Sequence, residues 1–343
     1  MKPTVRRSSV IVGLVALLCG GSAAGTFTYA QEKHSDSASN TPQTAPGEDK
    51  ESKQKSFTNA DAGQCLGWKT SSDGTVSDFQ TVDCAKSHRF EVSHRENLAA
   101  YPASEFGSNA GMPSRKRQAE LSDELCKQPT LSYLGGKFDP TGRFTIAPIL
   151  PPQKSWADGD RTLLCGLQVT GNDSHASAIT GKAADQDQSP VFKPGECVAI
   201  TEKKDDNQTK QTDSHASVDA TAQVVDCNAD HQYEVTDIID LGEKFKEYPS
   251  TEDQNEYLNK RCTDSVTSFI GGDDKLYNST LEPFWTVLTE DSWKGGSRNV
   301  NCSLIKTGDN NSLSTLKGSA KGEFTINGNP PPPQPSRAPK RGN

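Results

Sequence analysis

Two histidines and two glutamates recur in one frame. Cys84-Ala-Lys-Ser-His88-Arg-Phe-Glu91-Val92 and Cys227-Asn-Ala-Asp-His231-Gln-Tyr-Glu234-Val235 both read Cys-x-x-x-His-x-x-Glu-Val. Residues three apart on a strand lie on opposite faces, so imidazole and carboxylate meet at this spacing only if the chain turns at the histidine. With that turn they make an acid-base pair or half of a metal site. Otherwise the imidazole bonds a backbone carbonyl or the carboxylate and closes the turn after the cysteine. The chain has no H-E-x-x-H, no G-x-S-x-G and no phosphate-binding glycine loop. The expectation is therefore structural: no catalytic residue, no metal, no cofactor, and a protein that is not an enzyme. The alternative is a secreted hydrolase or metal-dependent enzyme using the pairs His88/Glu91 and His231/Glu234.

A second repeated group could recognise a ligand. Trp156-x-x-Gly159-Asp-Arg161-x-x-x-Cys165 answers Trp293-x-x-Gly296-Ser-Arg298-x-x-x-Cys302. A guanidinium binds a carboxylated ligand or pairs internally, and pairing of Arg161 and Arg298 with Glu91 and Glu234 is the expectation. Trp156 and Trp293 read as core residues, with a saccharide-stacking platform as the alternative.

Each copy holds four cysteines: Cys65, Cys84, Cys126 and Cys165, then Cys197, Cys227, Cys262 and Cys302. An even count in an exported domain implies two disulfides per copy. Three connectivities are open. Neighbours in order are expected, Cys65 with Cys84 and Cys126 with Cys165, because the first two suit adjacent strands and the others can pin a helix to the last strand. A zinc site is the competing reading, but there is no C-x-x-C and the intervals run to tens of residues. A cysteine locked in a disulfide also presents no thiolate nucleophile.

The elements that must position these residues come from the same repeat. Gly63-Gln-Cys65 matches Gly195-Glu-Cys197, Tyr101-Pro102 matches Tyr248-Pro249, and Leu134-Gly-Gly136 matches Ile270-Gly-Gly272. Alternating runs at Phe90 to Ser93, Phe144 to Ile149 and Leu163 to Val169 read as strands. In copy two, Ser250 or Thr251 caps a helix on which Leu258, Cys262, Val266 and Phe269 share one face, stopped by Gly271-Gly272. The matching segment of copy one contains Pro129 and should be shorter or kinked. Each module is thus read as strand, strand, helix, strand, strand. The fold class is α+β: two tandem disulfide-stapled modules, each a short antiparallel sheet with one main helix.

Lys2, Arg6 and Arg7 precede a run that is apolar from Val10 to Leu18, so residues 1–30 read as a signal peptide or single transmembrane anchor. The remainder then lies outside the cytoplasm, secreted or anchored to the membrane. Residues 31–60 are polar and read as a disordered linker. Module one is placed at 61–171, a linker at 172–190, module two at 191–308, and a disordered Pro-rich tail at 309–343. The net charge of -8 argues against nucleic acid as a partner.

The ordered set Gly-x-Cys, Val-x-Cys-x-x-x-His-x-x-Glu-Val, a mid-domain cysteine and Trp-x-x-Gly-x-Arg-x-x-x-Cys resembles the actinobacterial septum formation domain family, present here as two tandem copies. Copy two departs from copy one in having Ser297 where Asp160 stands. The resemblance implies an exported or single-pass envelope protein linked to septum formation or wall processes. It supplies no catalytic residue. Two non-catalytic binding or scaffold modules engaging a cell-wall polymer or another exported envelope protein are the functional expectation.

Overall fold

The computed structural model describes residues 57–71, 76–101, 104–170, 176–202, 220–308 and 312–336. The expected signal or anchor segment, and the linker as far as residue 56, lie outside the described residues. Two compact units divide the chain, one built on the described residues up to Gln188 together with Lys294–Ser297, and one on Ser189–Trp293 and the described residues from Arg298.

In the first unit the strands are β1 Cys65–Thr70, β2 Val76–Val82 and β3 Phe90–Asn97. Helices α1 Arg115–Leu121 and α2 Lys127–Tyr133 follow, then β4 Phe144–Ile149, α3 Gln153–Ala157, β5 Thr162–Thr170 and β6 Ala176–Ser177. They form an antiparallel sheet in the order β2-β1-β3-β5-β4, with β6 added to β5. Three strands therefore precede the helical segment, one more than expected. Successive residues of β5 feed opposite faces, as the strand period of two requires. Leu164 packs with Phe90, Val92 and Ile149, whereas Leu163 and Cys165 pack with Leu121, Cys126 and Trp156. Phe57, expected in the linker, is buried and stacks on Phe79 at 4.6 Å between ring centroids.

The second unit repeats the plan. Strands β7 Cys197–Glu202, β8 Ala220–Val225 and β9 Tyr233–Asp240 lead into helices α4 Thr251–Ile270 and α5 Asp273–Ser279. After these come β10 Glu282–Trp285, α6 Glu290–Gly295 and β11 Asn299–Ile305, and a separate ribbon pairs β12 Leu316–Lys317 with β13 Thr325–Ile326. The sheet order is β8-β7-β9-β11-β10, the same as in the first unit.

Helix α4 starts on a capping box: the Ser250 hydroxyl accepts from the Asp253 N–H at 3.1 Å, and the Asp253 carboxylate accepts from the Ser250 N–H at 3.3 Å. It ends at Gly271, whose φ of 95° suits only a residue free of Cβ strain. Leu258, Cys262, Val266 and Ile270 are its buried stripe. Its first unit counterpart is broken into α1 and α2 by a wide turn at Ser122–Cys126. Pro129 lacks an N–H and its ring excludes the carbonyl four residues earlier, so the chain widens just before it.

No helix among the described residues is long and apolar enough to cross a membrane. The transmembrane expectation had been placed on residues 1–30, outside the described residues, and finds no counterpart among the helices that are described. Helix α4 has the length, at 20 residues, but Glu252, Asp253, Glu256, Lys260, Arg261 and Asp264 make it one-sided.

Candidate functional site

The repeated motif lies where the turn after β2 enters β3, and again where β8 enters β9. Cys65 of β1 stands directly opposite Glu91 of β3, and Cys197 of β7 stands opposite Glu234 of β9. Directly opposed residues share a face, so each cysteine sulfur and carboxylate become neighbours. Disulfides join Cys65 to Cys84, Cys126 to Cys165, Cys197 to Cys227 and Cys262 to Cys302. The first and third bring the turn cysteine to the same spot. The second and fourth tie the main helical segment to β5 and β11.

His88 and His231 are 1% and 0% exposed. His88 Nδ1 lies 2.9 Å from the Lys86 carbonyl, and His231 Nδ1 lies 2.9 Å from the Ala229 carbonyl. A carbonyl only accepts, so Nδ1 carries the hydrogen in both rings. In the neutral imidazole the lone pair is then on Nε2, and both Nε2 atoms are buried without a hydrogen-bond partner among the described residues.

The carboxylates are equally deep, with Glu91 at 0% and Glu234 at 2% exposure. Glu91 accepts from the Tyr133 hydroxyl at 2.7 Å and from the N–H groups of Ala183 and Ala184. Burial, followed by the bond to Glu91, pushes the Tyr133 hydroxyl above its usual range. Glu234 accepts from the Ser319 hydroxyl at 2.6 Å and the Ala320 N–H at 2.7 Å.

Those amides come from segments expected to be linker and tail. In the first unit, Ile179 exchanges both backbone hydrogen bonds with His88, and the Gly181 N–H donates to the Cys84 carbonyl at 2.8 Å. In the second, Leu316 does the same with His231, and the Gly318 N–H donates to the Cys227 carbonyl at 2.6 Å. Ile179-Thr-Gly181-Lys-Ala183 and Leu316-Lys-Gly318-Ser-Ala320 are thus one repeated strap. Their structured residues lie within the intervals 172–190 and 309–343, which had been read as linker and disordered tail. The remaining masked parts of those intervals, 172–175, 309–311 and 337–343, lie outside the described residues. A signal was present in the sequence: apolar-x-Gly-x-Ala begins fourteen residues after the last cysteine of each copy. Gly318 is required there, since a Cβ would sit 2.3 Å from the Glu323 carbonyl oxygen and φ is 93°.

The Trp-Arg group is elsewhere. Trp156 is 2% exposed, donates through Nε1 to the Ala110 carbonyl at 2.9 Å, and lies under the Arg161 guanidinium at 4.2 Å. Arg161 donates to the carbonyls of Phe106, Gly107, Ser108, Trp156 and Asp160. Arg298 lies over the Trp293 ring at 3.9 Å and donates to the Trp293 carbonyl at 2.6 Å. The expected pairing of these arginines with Glu91 and Glu234 is therefore replaced by capping of local carbonyls. Burial of both tryptophans leaves no stacking platform on them.

The expectation of a protein that is not an enzyme is corrected, because two groups of side chains could hold a metal ion. Ligand-capable atoms of Cys65, His88 and Glu91 all lie within 4.8 Å of one another, and so do those of Cys197, Cys227 and Glu234. The two clusters differ in the third member, His88 in one unit and Cys227 in the other, but draw on the same repeated positions. Their sulfurs are in disulfides, which carry no thiolate charge and are poor ligands in that state. That leaves the His88 imidazole and the Glu91 carboxylate as competent donors in the first cluster, and the Glu234 carboxylate in the second. A cavity of about 190 Å³ adjoins this place in the first unit, lined by Trp68, Asp78, Gln80, His88 and Arg89 among others.

The architecture and its repeated centre define a class: tandem antiparallel α+β modules, each with a buried histidine and a buried glutamate held by a downstream strap. The sequence model of the septum formation family matches residues 62–302 in one span that runs through both modules. The chain belongs to the septum formation family. Expectation had been one family domain per copy, whereas this match takes the pair as a unit. Two Mycobacterium tuberculosis relatives, from strains CDC 1551 / Oshkosh and H37Rv, are each described as an "uncharacterized membrane protein". Each is 38% identical over 282 residues, covering 82% of this chain and 59% of the relative. This chain therefore spans about three-fifths of the length of the curated relatives it matches. No solved structure matches it.

Proposed function

We propose that this chain is an envelope-associated protein whose two modules each bind a divalent cation at the His-Glu centre and support a metal-dependent activity there. One observation carries the reading: a buried imidazole in each module is anchored through Nδ1 to a carbonyl and leaves Nε2 unpartnered, and in the first module a ring nitrogen of His88 lies within 4.8 Å of a carboxylate oxygen of the buried Glu91. A metal-ligating histidine needs this arrangement, in which the second nitrogen donates to a carbonyl and fixes the tautomer. A cation held by two protein ligands keeps positions for water, which it activates for hydrolysis. The envelope location draws on the relatives described as membrane proteins.

Equilibrium dialysis of the full chain against Zn2+ or Mn2+ tests this. Two cations per chain are expected, with His88→Ala and His231→Ala each losing one. No cation retained by the unmodified chain, or full retention by both variants, sinks the reading.

The repeat also favours a second reading, attachment to a wall polymer or another exported protein. Two copies of one module in one chain raise avidity when both engage the same partner. Co-sedimentation of the full chain with purified wall polymer should occur, and its absence at low and high salt would remove the polymer as partner.

A further inference from the structure

We infer that the outer disulfide of each module is a redox gate on this centre: opening Cys65–Cys84 or Cys197–Cys227 completes a Zn2+ site of two thiolates, the histidine Nε2 and the glutamate carboxylate. The inference rests on the metal reading above and extends it to the class of metal and its regulation.

The two disulfides of a module are unequal. Cys126, Cys165, Cys262 and Cys302 are all 0% exposed. Cys84 and Cys227 are half-buried, while their partners Cys65 and Cys197 are fully buried. Exchange requires access to the attacked sulfur, so Cys84 and Cys227 are the points of entry.

The ligand set follows from the repeat. One unit brings together Cys65, His88 and Glu91, the other Cys197, Cys227 and Glu234. Superposed by motif, these name four positions: the β1 or β7 cysteine, the turn cysteine, the histidine and the glutamate. Zn–S and Zn–N bonds of about 2.3 and 2.1 Å put tetrahedral ligand atoms about 3.5 Å apart. In each unit three of the four ligand atoms already lie within 4.8 Å of one another, and the fourth, Cys84 in the first unit and His231 in the second, is brought in by side-chain movement once the sulfurs are no longer bonded to each other. Strap amides on the carboxylate and a carbonyl on Nδ1 already supply the outer hydrogen bonds that orient such ligands.

The step balances with an exported dithiol protein as reductant. Its first thiolate attacks Cys84 Sγ, forming a mixed disulfide and releasing Cys65 as thiolate. Its second thiolate attacks its own sulfur in that mixed disulfide, so that the reductant leaves as a disulfide and Cys84 leaves as thiolate. The reductant loses two electrons, the module gains two, and both thiolates bind Zn2+ in place of protons.

The test uses the full chain, oxidised or treated with a water-soluble phosphine until four of the eight disulfide-forming thiols react with an alkylating agent, with Zn2+ and Co2+ as probes. The reduced chain should bind two Zn2+ roughly a hundredfold or more tighter than the oxidised chain. Its Co2+ form should show sulfur-to-cobalt charge-transfer absorption, and His88→Ala should lose one site. Cys84→Ser frees Cys65 without any reductant and should give the Co2+ signal at one site, which keeps the test valid if the phosphine-treated chain unfolds. Binding by the oxidised chain that reduction leaves unchanged overturns the gate and leaves the metal reading standing. Binding by neither form overturns both. Tight binding without the sulfur signal in either the reduced chain or Cys84→Ser overturns the thiolate ligands.

Discussion

The first and second units place a buried glutamate at the same point of the same sheet, yet hold it with different side chains. In the first, Tyr133 reaches it from the end of the helical segment; in the second, Ser319 reaches it from the strap itself. The principal backbone contacts repeat. Ala183 and Ala320 donate their amides, and His88 and His231 pair with Ile179 and Leu316. A backbone N–H is present whatever side chain it carries, so a clasp made of amides survives sequence divergence, while the third donor is replaceable. The residue after the last cysteine differs too: Gly166 in one unit, Ser303 in the other.

That last difference offers the largest way to break the comparison. Gly166→Ser writes the second unit's residue into the first, where a Cβ would lie 2.1 Å from the Glu91 carbonyl oxygen and 2.4 Å from the Phe90 ring. Because the obstacles are strand backbone and a buried ring, a loss of about 3 kcal/mol is expected in urea unfolding. A loss below about 1 kcal/mol would mean that β3 yields and that the two sheets are more alike than their packing suggests.

Removing the carboxylate should affect both units equally. Glu91→Ala and Glu234→Ala each strand buried amides and should cost about 2 kcal/mol. Hydrogen exchange at Ala183 and Ala320 should accelerate in step, and acceleration in one unit alone would refute a shared clasp.

The replaceable donor should matter less. Tyr133→Phe and Ser319→Ala should each cost about 1 kcal/mol. Only the former carries a pH signature. The folded Tyr133 hydroxyl is raised above its ordinary 10.0, so it binds its proton more tightly folded than unfolded. Its stabilisation is full below pH 10.0 and is lost as pH rises beyond that toward the folded value. Tyr133→Phe should flatten this alkaline loss in pH-dependent unfolding, and an unchanged slope would assign the loss to another group.

The helix starts give the smallest contrast. Ser250→Ala breaks a reciprocal capping box and should cost about 1 kcal/mol, whereas Ser114→Ala should cost about half as much. The Ser114 hydroxyl makes a single cap bond, from the Arg117 N–H at 3.3 Å. Equal melting shifts would show that the box adds nothing.

Local patterns were legible where their causes are local. The start at Ser250, the apolar stripe of α4 and its stop at Gly271 follow from residues within one or two turns of each other. Pro129 announced a break in the matching helix because the missing N–H acts on its own turn. Strand β3 was read short, as Phe90 to Ser93, because its outer half carries His94, Arg95 and Glu96 and loses the apolar alternation.

By itself the sequence determined the duplication, the α+β class and the coincidence of cysteine, histidine and glutamate in one frame, since repeated rare residues at fixed order need no coordinates. Only the tertiary structure decided what surrounds that frame. Glu91 meets Ala183 across 92 residues and Glu234 meets Ala320 across 86, contacts made by backbone amides, whose one trace in the sequence is the repeated apolar-x-Gly-x-Ala spacing. The strap looked like linker because its bonds are backbone bonds. Burial of the histidines, the free Nε2 atoms and the approach of sulfur to carboxylate all follow from strand register, which pairs Cys65 with Glu91 and Cys197 with Glu234.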